Sequence, residues 1–179
     1  MEKTIRKTRP LVIAQMLKGA LITEHSKILE PSAGSGDLIE GILKRFPLVD
    51  IDCIELNKEL RDTLKSKGYN VIGNDFLKKE PSPIYDYVIA CPTYKDNIDV
   101  EHIMHMYEFL KPGGEIISLT HPAWTIQNSS RQQDFREWLY DKEYAIKMLQ
   151  DCSFVENFEA QPSAVIVIYK PKPTEWWVD

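Results

Sequence analysis

Apolar residues recur along this chain in two rhythms. Short apolar runs alternate with longer stretches in which apolar positions return every three or four residues. The first stretch, residues 10–21, carries Leu11, Val12, Ala14, Met16, Leu17, Ala20 and Leu21 at helical spacing, with Pro10 suited to a first turn and Thr8 as its cap. A strand over 27–29 follows, then a helix over 38–46 with Leu38, Ile39, Ile42, Leu43 and Phe46 on one face, ended by Pro47. Residues 51–55 read as a second strand. Asn57 caps the next helix, whose face is Leu60 and Leu64 and whose end is marked by Gly68. Strands over 69–72 and 85–90 flank a polar, proline-bearing connection at 78–83. A helix over 100–110 turns Ile103, Met104, Tyr107 and Leu110 inward and is broken by Lys111-Pro112-Gly113-Gly114. Residues 115–120 form a fifth strand. Ser129 and Ser130 open a helix that buries Phe135, Trp138 and Leu139. Strands over 144–149 and 164–169 close the pattern, with Pro171 and Pro173 beyond.

Strands and helices alternate until the last two strands, which have no convincing helix between them. That order predicts an α/β fold: a Rossmann-like, seven-stranded, mostly parallel sheet with an antiparallel last strand and helices on both faces. No repeat, low-complexity tract or linker interrupts it, so residues 1–179 are expected to form a single domain.

Composition narrows the class. Hydrophobic residues at 43% and charged residues at 27% suit a globular chain with a substantial core. No apolar run is long enough to span a membrane, and the basic N-terminus lacks the apolar segment of a secretory signal. Cys53, Cys91 and Cys152 lie far apart, which suits a reducing compartment and shows no zinc spacing. The expected location is cytoplasmic. A net charge of −5 argues against a broad nucleic-acid surface, although Lys3, Arg6, Lys7 and Arg9 cluster, as do Lys78 and Lys79. His102 and His105 stand three apart without a third metal ligand and read as surface or packing residues; no metal site is expected.

The chemistry gathers where strands end. In open α/β sheets ligands bind beyond the carboxyl ends of the strands. Four strands here end on Glu30, Glu55, Asp75 and the corner Cys91-Pro92-Thr93-Tyr94. Glu30 is followed by Pro31-Ser32-Ala33-Gly34-Ser35-Gly36, a small-residue turn into a helix whose first N–H groups are free for a ligand. Glu55 lies about 20 residues further on, the spacing at which an acid accepts hydrogen bonds from a ribose. Two adenine nucleosides compete for such a cradle, a nicotinamide dinucleotide and S-adenosyl-L-methionine. Glu30 would repel a pyrophosphate and attract an ammonium and a sulfonium, and Ile39 stands where the dinucleotide fingerprint has its third glycine. S-adenosyl-L-methionine is favoured.

The residues from Thr8 to Tyr169 resemble a class I S-adenosylmethionine-dependent methyltransferase, most closely the small adenine-specific amino-methyltransferases of phages and mobile elements. The resemblance implies that Glu30, Pro31, Ser32, Ala33, Gly34 and Gly36 hold the methionine portion. It implies that Glu55 holds the ribose, that Leu56 touches adenine, and that Asn74-Asp75-Phe76 is a third motif in which Asp75 takes the adenine amine and Phe76 packs on the ring. Thr8-Arg9-Pro10 resembles a Thr-x-Pro stretch that precedes the cradle. In enzymes that methylate an exocyclic amine the fourth motif reads Asn (or Asp or Ser)-Pro-Pro-Tyr (or Phe). Cys91-Pro92-Thr93-Tyr94 keeps Pro92 and Tyr94 and lacks the Asn and the second Pro. Cys91 is a weak acceptor for amine protons, whereas Pro92 still offers its carbonyl and Tyr94 a ring for a flipped base. The expected reaction is methylation of adenine in DNA or RNA. The alternatives are a degenerate fold that binds the cofactor or a partner without turnover, and a methyltransferase for a protein or small molecule. His121 and Trp124 follow the fifth strand on the crevice side. His121 reads as a plain loop residue and Trp124 as a base-stacking candidate. Trp138, Trp176 and Trp177 read as packing. The oligomeric state is open.

Overall fold

The computed structural model describes residues 8–149, 154–156 and 159–173. Seven strands form one sheet: β1 (Lys27–Glu30), β2 (Asp50–Ile54), β3 (Asn70–Gly73), β4 (Tyr85–Ala90), β5 (Leu110–Thr120), β6 (Glu143–Met148) and β9 (Ala164–Tyr169), in the order β3-β2-β1-β4-β5-β9-β6. The first five strands of the chain run parallel, and β9 lies antiparallel between β5 and β6. The mostly parallel sheet and its antiparallel last strand are as expected. The strand order reverses direction between β1 and β4, so the ligand crevice is expected beyond their carboxyl ends.

Neighbouring residues on a strand face opposite ways, and here they sort into two cores. Leu29, Val88, Ile116 and Ile166 join Phe109 and Phe135 on one side of the sheet. Ile28, Ile89, Ile117 and Val165 join Val12, Met16, Leu38 and Ile42 on the other. The first core lies under α4 (Ile98–Phe109) and α5 (Ser130–Leu139), the second under α1 (Pro10–Met16) and α2 (Asp37–Arg45). Burial on both faces is why these strands read as continuous apolar runs. A third helix, α3 (Lys58–Ser66), packs Leu64 against Ile39 and Cys53. The Asn57 side chain caps it by accepting from the N–H groups of Glu59 and Leu60, as its sequence implies.

Several boundaries depart from the apolar pattern. Helix α1 ends at Met16 rather than near Leu21, because Gly19 takes a left-handed turn at φ 93°. Its cap is the extended backbone of Arg9 before Pro10, and Thr8 is not the cap. Helix α4 buries Val100, Ile103, Met106 and Phe109, so Met104 and Tyr107 are only flanking contacts and Leu110 already belongs to β5. Residues 111–114 are no break. Leu110 pairs with Tyr85 and Glu115 with Tyr87, so the intervening residues bulge within the strand, held by Gly113 N–H to the Lys170 carbonyl at 2.7 Å. A two-stranded hairpin, β7 (Phe154–Glu156) with β8 (Glu159–Gln161), sits between β6 and β9 in the chain. Three-residue strands carry too few positions for a period to show.

Candidate functional site

The glycine loop connects β1 to α2. Gly36 is the residue before α2, at φ 90°, and Gly34 is also left-handed at φ 54°. The loop is held from two sides. On the β2 side, the Gly34 N–H donates to Glu55 Oε2 at 2.8 Å, and Glu55 Oε1 accepts from the Asn57 N–H at 2.8 Å. One carboxylate therefore joins the loop to the start of α3. The Ala33 N–H also donates to the Ile54 carbonyl at 3.0 Å. On the α4 side, Ser32 Oγ lies 3.2 Å from His102 Nδ1. Of the matched loop residues, Pro31 and Ala33 are buried, and Ser32 and Gly34 are half-buried.

Glu30 ends β1 at 1% exposure. Its Oε2 is buried with no hydrogen-bond partner among the described residues, and the backbone of Ile39 in the first turn of α2 offsets only a small part of that burial. Burial first, and then the neighbouring Glu55 and Asp37, hold its carboxyl well above the usual glutamate range. A buried acid with an idle oxygen, beside a second acid and backbone N–H groups, is a poor seat for a pyrophosphate and a fitting one for a cation-bearing ligand.

The third motif sits at the end of β3. Asp75 pairs with Lys78 at 2.9 Å, a contact that holds its carboxyl below the usual range, and its N–H is taken by the Asn74 side chain. Phe76 is buried, its ring 5.1 Å from Phe109, 4.8 Å from His105 and 5.3 Å from His102. It is a core residue whose surroundings are protein. Leu56, in contrast, is 71% exposed beside Glu55 and open to a ligand.

His102 belongs to the site although its spacing in the sequence marks only packing or surface. No local signal reveals a partner 70 positions away. Burial, and to a lesser extent the neighbouring His105, lower its pKa to about 4 against the pull of Asp75, so at neutral pH the ring is uncharged. His105 instead bonds through Nε2 to the Lys79 carbonyl at 3.1 Å.

The fourth-motif corner follows β4. Cys91 Sγ lies 3.6 Å from Met16 Sδ, and the Thr8 side chain is near enough to lower the thiol's pKa slightly, which brings the Thr-x-Pro stretch to the corner. Burial pushes the Cys91 thiol far up, so it is no thiolate. Pro92 is buried and Thr93 exposed. The Tyr94 hydroxyl donates to Ser163 Oγ at 3.1 Å, and its ring stands edge-on to His121 at 5.7 Å. Behind the corner, Asp99 is 1% exposed and accepts from Thr120 Oγ1 at 2.8 Å and the His121 N–H at 2.9 Å. His121 in turn accepts from the Ala123 N–H, so its Nδ1 carries no proton. Trp124 is buried edge-on to Phe135 and is not placed to stack a base. Lys3, Arg6, Lys7, Cys152, Trp176 and Trp177 lie outside the described residues. Among the described residues no cluster of His, Cys, Asp or Glu has metal-holding geometry, and no helix is long and apolar enough to cross a membrane.

No protein-family model matches the chain. Curated relatives do. A modification methylase, CviBIII, of Paramecium bursaria Chlorella virus NC1A is 29% identical over 76% of this chain and 44% of its own length. A malonyl-[acyl-carrier protein] O-methyltransferase of Ilyobacter polytropus is 32% identical over 74% of this chain and 58% of its own. These likenesses support a class I S-adenosylmethionine-dependent methyltransferase. Among solved structures, the precorrin-6y C5,15-methyltransferase of Geobacter metallireducens GS-15 superposes with a TM-score of 0.65 over 95% of this chain and 92% of its own, at 20% identity, which carries the fold. The chain spans about half the length of the two curated relatives.

Proposed function

We propose that this methyltransferase-family chain binds S-adenosyl-L-methionine in the β1–β2 cradle and transfers a methyl group to an exocyclic amine of adenine in DNA or RNA. The observation that carries the cofactor half is Glu30, a buried carboxylate with an oxygen left idle beside the glycine loop. When bound, the cofactor supplies an electrophilic methyl on a sulfonium. The chain's own residues do the rest. Glu30 offers negative charge to the cationic end, and Glu55 fixes the loop and faces the ribose. Leu56 covers an apolar ring, and Asp75 accepts from an amine. At the corner, the Pro92 carbonyl accepts a hydrogen bond from the amine, whose proton passes to solvent once the methyl is transferred, and the Tyr94 ring supports a base turned out of its stack. Positioning is the main contribution such a site makes to methyl transfer. The likeness to a modification methylase supports the nucleic-acid substrate.

One observation favours a second reading. Cys91 turns its thiol to Met16 and is a weak acceptor. An amine has two protons to place, whereas a hydroxyl has one and a carboxylate none, so the corner suits an oxygen nucleophile on a protein or small molecule. The likeness to an O-methyltransferase agrees with this. Transfer of label from S-adenosyl-L-methionine to DNA, RNA, protein and small-molecule pools separates the readings. The adenine proposal expects label in adenine of DNA or RNA, and more of it with Cys91→Asn. Label only in protein or small molecules overturns it. Binding without any turnover marks a degenerate site.

A further inference from the structure

We propose that His102 is a positioning residue of the cofactor site: from α4 it latches the glycine loop through Ser32, so that the loop is already in its binding shape before a ligand arrives. The inference rests on the cofactor reading above and adds a residue that reading does not use.

Three observations carry it. The first is the 3.2 Å contact between Ser32 Oγ and His102 Nδ1, which joins two segments far apart in the chain. The second is symmetry of restraint. Gly34 is held on the β2 side by Glu55 and Ser32 on the opposite side by His102, so the loop is clamped at two points on either side of Ala33. The third is the cost of having an imidazole there. His102 lies against Phe76 beside an apolar core, where a leucine or phenylalanine would pack without desolvating a ring nitrogen. The groups around the ring are Ser32, Asp75, Phe76 and His105. Of these, Ser32 and Asp75 belong to the proposed cradle. Ordering a mobile loop on binding weakens affinity, and a loop ordered beforehand avoids that loss.

The test is calorimetric titration of S-adenosyl-L-methionine into the full chain and its variants, with thermal melts to confirm folding. The expected result is that Ser32→Ala and His102→Ala each weaken binding about tenfold and that the double variant is no weaker than either, the signature of one shared interaction. His102→Asn, whose amide reaches the position of Nδ1, should keep most of the affinity. His102→Gln, whose amide reaches the position of Nε2, should not. A packing role would make no such distinction and would be served by His102→Phe. Wild-type affinity in His102→Ala, additive losses, or equal behaviour of the Asn and Gln variants overturns the latch while leaving the cofactor reading intact. Absence of binding by the wild-type chain overturns the cofactor reading and the latch with it. Should His102→Ala fail to fold, Ser32→Ala with the Asn and Gln pair decides the question alone.

Discussion

Glu55 and Gly34 meet at 2.8 Å, a carboxylate oxygen at the end of one strand against a backbone N–H in the loop after another. With its second oxygen on the Asn57 N–H, Glu55 serves the fold and the candidate site together. Glu55→Ala should therefore cost twice. Two N–H groups lose their acceptor, at about 1–3 kcal/mol for each that is left unsatisfied, and binding of S-adenosyl-L-methionine should fall by more than about tenfold, roughly 1.4 kcal/mol. Glu55→Gln keeps one acceptor oxygen and should fall between. Urea unfolding and calorimetry read the two effects separately. Unchanged binding in Glu55→Ala would remove the ribose assignment.

Glu30 predicts effects of opposite sign. Its folded-state pKa is raised above the ordinary value of 4.5, chiefly by burial. Between the two values the folded state holds more protons than the unfolded one, so stability is fully present below the lower value and is lost as pH rises through the upper. The melting temperature of the ligand-free protein should fall as pH climbs from the glutamate range. Glu30→Gln should flatten that part of the profile and stabilise the free protein near neutral pH by about 1–3 kcal/mol, the cost of one unsatisfied buried group. Each kcal/mol is worth roughly 2–4 °C in a chain of this size. Asp99 shifts the same way, so the difference between wild type and variant isolates Glu30. The same substitution should weaken cofactor binding. A variant that melts lower near neutral pH, or binds as well as wild type, contradicts the assignment.

Asp99 ties the first turn of α4 to the end of β5 through Thr120 and His121. Asp99→Ala strands two donors and should destabilise by about 1–3 kcal/mol for each that finds no water. The loss should appear as a lower denaturant midpoint at unchanged slope.

Tyr94 separates ring from hydroxyl. Tyr94→Phe loses the bond to Ser163 and keeps the aromatic face, whereas Tyr94→Ala loses both. If the substrate is a base, kcat/KM on DNA or RNA should survive in the Phe variant and fall by about 1–3 kcal/mol in the Ala variant, the usual worth of base–aromatic stacking. Equal losses would place the work in the hydroxyl.

The central strands were legible because burial on both faces leaves uninterrupted apolar runs, and β4 and β9 begin and end where those runs do. The Asn57 cap was legible because capping is local chemistry. What was not legible depended on contacts far along the chain. The inward face of α4 is set by how the helix leans on β4 and β5, so Met106 and Phe109 took positions that Met104 and Tyr107 fit equally well by spacing. The glycines at 113 and 114 read as a break, but pairing with Lys170 keeps the strand going. In the site, Glu30, Glu55 and Asp75 stand at adjacent strand ends as their motifs imply. His102 and Thr8 acquire their places only when α4 and the N-terminal stretch fold against the loop and the corner.

The two loop glycines differ in what surrounds them. A methyl group at Gly36 would sit 2.9 Å from the Tyr69 ring and 3.1 Å from the Leu64 side chain, on a backbone already at φ 90°. At Gly34 the same group meets open space, and φ 54° is a conformation asparagine and aspartate tolerate. The two positions are therefore held by different things. A chain without glycine at position 36 has had to rebuild the Tyr69–Leu64 wall, whereas glycine at position 34 answers to its left-handed backbone and to whatever ligand the loop cradles.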